Sequence, residues 1–228
     1  MLDLGKVVFW YFPREVLFLV HLRYLRIQLE SKEIPSAIAN LSRLETFAVG
    51  GRICSFLLPY SIWYIKTLKH LVVFPSYGRG FEFPMFNLKG SPDLEHLETL
   101  SLAIDPSSER QSLQKILSKL PSIRRLKCVN GHDNWNSRYH ASAGDHDGIL
   151  MLNYLIRLES LKMGRFAGYE FEFPFNLRKL TLLQNRQPWS KISAIGKLPN
   201  LEVLKLCPVS FVGEKREMQE GVFQNLRY

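Results

Sequence analysis

The sequence predicts an α/β solenoid, with short parallel strands on a concave face and helical turns or loops on a convex one. Three observations carry that expectation. A six-residue apolar frame, Leu-x-x-Leu-x-Leu with other apolar residues as occasional substitutes, recurs along the whole chain. Its successive starts lie 22, 24, 29, 26, 35, 19, 24 and 25 residues apart, close to the roughly 20–29 residues of a repeat that adds one strand per coil. The composition is that of a folded protein: 228 residues, 46% hydrophobic, 22% charged and 12% aromatic, which excludes collagen-like, disordered and coiled-coil chains.

The frames run in order as Leu22/Leu25/Ile27, Leu44/Phe47/Val49, Leu68/Leu71/Val73 and Leu97/Leu100/Leu102. They continue as Ile123/Leu126/Cys128, Leu158/Leu161/Met163, Leu177/Leu180/Leu182 and Leu201/Leu204/Leu206. The last two apolar positions of each are two apart, so in a strand they point to the same inner face. The first lies three earlier and turns into the same core from the bend. No single repeat can bury its apolar face, so neighbours must stack. The expected architecture is an irregular leucine-rich-repeat horseshoe over 1–228, with eight full repeats and a ninth opening at Leu226.

The connections follow. Ser108-Glu109-Arg110-Gln111 resembles a capping box, and Leu113, Ile116, Leu117 and Leu120 follow at helical spacing before Pro121. Ile192, Ile195 and Leu198 before Pro199 repeat that plan in shorter form, while Pro59 to Lys66 fits a single helical turn or an irregular link. Only Asn185 stands where an asparagine bonds the turn after a strand. Near the start, Val7 to Phe12 and Val16 to Val20 are separated by Pro13, Arg14 and Glu15. Neither piece reaches the roughly 20 residues of a membrane span, and no signal-peptide pattern is present. Cys54, Cys128 and Cys207 are too few and too scattered for a disulfide framework, which points to a reducing compartment.

The formal net charge is +9, from 30 Lys and Arg against 21 Asp and Glu. A basic balance favours acidic partners only where the residues form a patch. The outward positions within the frames are Arg26, Ala48, Val72, Ser101, Lys127, Lys162, Thr181 and Lys205, with Tyr24, His70, Arg125 and Lys179 beside them. Concave faces of solenoids are their usual binding surfaces. The candidate protein-binding residues are therefore Tyr24, Arg26, His70, Arg125, Lys127, Lys162, Lys179 and Lys205. Among them, Arg125, Lys127, Lys162, Lys179 and Lys205 are expected to line up as a basic column, against the simpler reading of a solvated face in a basic chain.

Other features carry less. His132, His140 and His146 with Asp133, Asp145 and Asp147 crowd the longest gap, but their spacing is loose and no cysteine joins them, so a loop is expected rather than a metal centre. Phe81-Glu82-Phe83-Pro84 recurs as Phe171-Glu172-Phe173-Pro174, an echo that fits aromatics packing the turn before a strand better than a ligand clamp. No Gly-x-Ser-x-Gly, His-Glu-x-x-His or Cys-x-x-Cys occurs, so no catalytic or metal residue is assigned and no enzyme is expected. Dispersed Tyr and Trp argue against a nucleic-acid stacking platform.

Ile34-Pro35-Ser36-Ala37-Ile38-Ala39-Asn40-Leu41-Ser42-Arg43-Leu44-Glu45-Thr46 resembles the repeat region of plant intracellular coiled-coil nucleotide-binding leucine-rich-repeat resistance proteins. So do Phe173-Pro174-Phe175-Asn176-Leu177-Arg178-Lys179-Leu180-Thr181-Leu182 and Leu198-Pro199-Asn200-Leu201-Glu202-Val203-Leu204-Lys205-Leu206, similar in particular to late-blight resistance proteins of the nightshade family. Phe211-Val212-Gly213-Glu214 through Glu220-Gly221-Val222-Phe223 is similar to the segment that follows, with Arg216 where tryptophan is usual. The resemblance implies a fragment that senses pathogen effectors or guarded host proteins, restrains a nucleotide-binding switch domain and serves hypersensitive cell death. It implies ADP or ATP in that switch domain only; the phosphate loop Gly-x-x-x-x-Gly-Lys-Ser/Thr is missing here, so no cofactor is assigned to this chain. A cytoplasmic location, with peripheral membrane contact left open, follows from the same resemblance. The alternatives are a stand-alone adaptor of the ubiquitin-ligase type, a truncated relic, an extracellular ectodomain and an enzyme built on the His/Asp loop. The ectodomain conflicts with the absence of paired capping cysteines and of more than one sequon, Asn40-Leu41-Ser42.

Overall fold

The computed structural model describes residues 1–31, 33–51, 58–73, 94–104, 114, 117–130, 148–166, 169–207, 210–213 and 223–227. The chain forms two compact units, one of Met1–Ser122 with Gly131–Asp133, the other of Ile123–Asn130 with Asn134–Tyr228. In the first, β1 (Leu2–Phe9), β2 (Tyr24–Leu29), β3 (Thr46–Gly50), β4 (His70–Val73) and β5 (Thr99–Ile104) lie side by side in chain order. All are parallel. In the second, β6 (Arg125–Asn130), β8 (Ser160–Gly164), β10 (Lys179–Leu183) and β12 (Val203–Leu206) form a parallel sheet in that order. Two small parallel ladders flank it: β7 (Gly148–Met151) with β9 (Tyr169–Glu172), and β11 (Gln187–Pro188) with β13 (Phe211–Val212).

The frame residues take the positions that the period requires. Leu25, Ile27, Phe47, Val49 and Leu71 are fully buried in the first unit, and Leu126, Cys128, Leu161, Met163, Leu180 and Leu182 are buried in the second. On β12 the burial relaxes and Leu206 is exposed; among the described residues that strand pairs with β10 alone. Strand β1 is an addition to the sequence reading. It pairs Leu2 with Leu25 and Leu4 with Ile27, and the register then slips before Val8 pairs with Gln28. That slip breaks the frame, so no repeat was legible there.

Prolines set the convex turns. Pro13, Pro35 and Pro59 each precede one 3-10 turn, over Arg14–Phe18, Ser36–Asn40 and Tyr60–Tyr64. The ring fixes φ near −65° and the missing N–H would have no partner at a helix start. Each proline carbonyl accepts from the residue three ahead, Val16, Ile38 or Ile62, and those three side chains are buried. The link at Pro59 to Lys66 is thus a single turn, and Ile192–Gly196 is a short α-helix with Ile192 and Ile195 inside. Of the longer expected helix, Leu117 and Leu120 are buried; the capping box from Ser108 to Gln111 lies outside the described residues. The first aromatic echo, Phe81 to Pro84, also lies outside them. The second leads into the turn before β10: Phe171 sits in β9 opposite Leu150, its ring 5.8 Å from that of Phe173, and the Pro174 carbonyl accepts from the Leu177 N–H at 3.2 Å.

Asn185 behaves as expected of its position. Its side chain is fully buried, its Oδ1 accepts from the Phe166 N–H at 2.9 Å, and its Nδ2 donates to the Met163 carbonyl at 3.2 Å. The backbone turns left-handed on both sides of it, at Gln184 (φ 52°) and Arg186 (φ 51°), which aims the amide inward. Cys128 is buried and its thiol is pushed up to about 12 by burial, whereas Cys207 is half-buried. Because the thiolate is the reactive species, iodoacetamide at pH 8 is expected to label Cys207 well before Cys128 in the folded chain. Peptide mapping of the alkylated protein checks this, and equal labelling would contradict the packing of β6.

Candidate protein-binding face

In the second unit the outward positions fall on three lines that cross the strands. The first runs through Arg125, Ser160, Lys179 and Val203, the second through Lys127, Lys162, Thr181 and Lys205. The third holds Val129, Gly164 and Leu183. Neighbouring strands lie about 4.8 Å apart and alternate residues of a strand about 6.6 Å apart. The single basic column expected from the sequence is therefore two parallel lines, because Arg125 and Lys179 stand one outward position before Lys127 and Lys162. Ser160 and Thr181 separate the charges within each line, and Thr181 is buried.

The electrostatics of this face are unbalanced. None of Arg125, Lys127, Lys162, Lys179 and Lys205 forms an ion pair among the described residues. The described acids of this unit are engaged elsewhere: Glu159 with Arg124 at 3.2 Å, Glu170 with Lys191 at 2.8 Å, Glu172 with Asn153 at 2.9 Å, and Glu202 with Arg178 at 2.6 Å. Lys127 feels the excess. Burial lowers its pKa first, and the charge of Lys162 on the next strand lowers it further. A lysine whose folded pKa lies below its unfolded value of about 10.4 destabilises the fold at pH values below both. That cost is relieved as pH rises through the folded value. Lys162→Met should raise the Lys127 pKa, which NMR titration of labelled lysine side chains measures; a pKa that stays put would assign the whole shift to burial.

The remaining expected residues sit in the first unit on a face of different character. Tyr24, Thr46, His70 and Thr99 form one line, and Arg26, Ala48, Val72 and Ser101 the next. His70 Nδ1 lies 3.0 Å from Thr99 Oγ1. Arg26 is partly neutralised by Asp3, 4.0 Å away on β1, and its side chain lies across Gly5, where a Cβ would stand 2.5 Å from Nε. These lines are polar and apolar in turn, without a run of charge. The His/Asp cluster at 132–147 lies outside the described residues, and among those described no group of three metal-binding side chains occurs.

The leucine-rich-repeat region family matches residues 11–190. The chain belongs to the leucine-rich-repeat family. As a fold, it is similar to a leucine-rich-repeat protein of Leptospira interrogans, with a TM-score of 0.54 and 20% identity over 99% of this chain and 53% of that one. In sequence it is similar to proteins of Solanum demissum. It is 35% identical over its whole length to the late blight resistance protein homologue R1B-14, and 33% identical, also over its whole length, to the late blight resistance protein R1-A. The chain spans 17% of the length of each of these two relatives. No helix among the described residues is long and apolar enough to cross a membrane.

The leucine-rich repeats carry a second charged feature that the sequence reading missed. The residue after each frame-opening position reads Arg23, Glu45, Lys69, Glu98, Arg124, Glu159, Arg178, Glu202 and Arg227, strictly alternating in sign. In the first unit Glu45 is shared between Arg23 at 3.7 Å and Lys69 at 3.3 Å. In the second, Arg178 reaches Glu202 at 2.6 Å, with Arg227 on its other side at 3.9 Å. The carboxylate of Glu202 is the main reason the Arg178 pKa is raised. Beside this ladder, Asn176, Asn200 and Asn225 each donate Nδ2 to a carbonyl of the preceding repeat, those of Ile156, Phe175 and Pro199. Ladder and asparagines line a polar groove of about 830 Å³. The strand-opening edge is thus self-compensated, while the concave lines of the same unit are not. Reading the sequence at period 25 for charge as well as for leucine would have found it.

Proposed function

We propose that this chain is the recognition and autoinhibition part of a plant immune receptor. It serves as a non-catalytic protein-binding module that docks acidic surfaces on the concave lines of its second unit. One observation carries the reading: five cations share that face without an acidic partner among the described residues, while the neighbouring edge alternates its charges. Such a surface steers and selects acidic partners. The named function of the Solanum demissum relatives, late blight resistance, supplies the context. The partners are a pathogen effector or a guarded host protein on one side and the receptor's own nucleotide-binding switch domain on the other. The cofactor ADP or ATP belongs to that switch domain, and the setting is the cytoplasm.

Reversing Lys127, Lys162 and Lys205 together to Glu tests the reading. Titration with the isolated switch domain of a receptor of this class, by calorimetry at low salt, should show at least about 100-fold weaker binding for the triple variant. The wild-type affinity should fall as salt rises. An affinity unchanged by the reversal at low salt would sink the proposal.

A further inference from the structure

Two strands of the second unit's face, β6 and β10, run from a cation at their opening to an apolar residue at their end. From its opening to its end, β6 presents Arg125, Lys127 and then Val129; β10 presents Lys179, Thr181 and then Leu183. Between them Lys162 on β8 is followed by Gly164. The glycine matters because a Cβ there would stand 3.3 Å from Val129 Cγ1 and 3.4 Å from Leu183 Cδ1. Val129 and Leu183 therefore close over Gly164 into one half-buried apolar strip. Two cationic lines and one apolar line thus follow each other at steps of about 6.6 Å, the repeat of every second residue in an extended chain.

We infer that this face binds an extended segment of its partner lying along the strands, with carboxylates at two alternate positions and a large apolar side chain at the next alternate position. The inference rests on the acidic-docking reading above and adds the spacing and the apolar anchor to it. The two carboxylates meet the lysine and arginine lines, and the apolar side chain covers the Val129–Leu183 strip. A segment running in the strand direction reads acid, acid, apolar at its alternate positions, and one running the opposite way reads apolar, acid, acid. A purely acidic surface would leave the strip uncovered. A contiguous acidic run would point every other carboxylate away from the cations.

The test uses fluorescent peptides and polarisation at low salt with the full chain. One peptide carries Glu-Ser-Glu-Ser-Leu within a Gly/Ser frame, the second replaces its Leu by Ser, and a third replaces both Glu by Gln. The first should bind about tenfold more tightly than the second, the preference expected for burying most of one leucine side chain. The third should not bind measurably. Leu183→Ser should erase the preference for Leu while retaining salt-dependent binding, with a melting curve confirming that the variant is folded. Val129→Ser repeats the test on the other side of Gly164, should Leu183→Ser unfold. Equal binding of the first two peptides would overturn the inference and leave the charge reading intact. Equal binding of all three would overturn both.

Discussion

Phe47→Ala is expected to destabilise the first unit by about 3–5 kcal/mol, the range for truncating a fully buried aromatic residue. Phe47 has no solvent exposure and stands on β3 in register with Leu25 of β2 and Leu71 of β4. Both neighbours are held by parallel ladders on either side, so the walls of the new cavity have little freedom to collapse into it. Chemical denaturation measures the loss. Hydrogen exchange locates it: in a repeat array each unit leans mainly on its neighbours, so protection should fall across β2, β3 and β4 and persist in β8 and β10. A loss below about 1 kcal/mol would mean that the Phe47 site repacks.

Asn185→Ala should show the converse pattern, costing about 2–4 kcal/mol with protection lost first around β8 and β10. Removing the amide leaves the buried N–H of Phe166 without its acceptor and takes a donor from the Met163 carbonyl. Each buried polar group left unpaired costs about 1–3 kcal/mol. The strained backbone at Gln184 and Arg186 would then be held for no return. Asn185→Asp separates hydrogen bonding from shape. The carboxylate keeps the acceptor for Phe166 but buries a charge, so this variant should gain stability as pH falls and the group protonates. A melting temperature that does not rise on acidification would place the introduced carboxylate in water and contradict the buried turn.

Much of this fold was legible because it obeys two periods at once. The two-residue step of the strand and the 25-residue step of the coil place Leu25 and Ile27, or Leu180 and Leu182, without any neighbour in view. Asn185 was legible for the same reason, since its place after a strand repeats a known turn chemistry. Strand β1 was not, because its register slips between Leu4 and Val8. The β7–β9 and β11–β13 ladders fall outside the Leu-x-x-Leu-x-Leu frames, so the repeat did not mark them. For the candidate face, the sequence supplied the residue types and the outward parity. It merged Arg125 and Lys179 with Lys127, Lys162 and Lys205, although the first two stand two residues after their frame openings and the other three stand four after theirs. The burial of Lys127 depends on its neighbours, and no local pattern encodes it. The alternating edge was readable in principle, one residue after each opening leucine.

One junction recurs at repeat starts in both units. The carbonyl of Arg23 accepts from the N–H groups of both Glu45 and Thr46, that of Arg124 from Glu159 and Ser160, that of Glu159 from Arg178 and Lys179, and that of Arg178 from Glu202 and Val203. The chain between these junctions runs through as few as 19 residues and as many as 35 from one frame to the next, yet the two bonds are the same. The joint therefore sets the pitch, and the length of the arc between joints is left to drift. Insertions and deletions in the arcs change what the outside of the coil displays without shifting the register of the inside. Substitutions on the outward strand positions alter the charge and shape of the inside without touching the joint. A lineage under changing selection can thus revise its two surfaces independently, at the rate of single mutations and small indels, on a frame that does not have to be rebuilt each time.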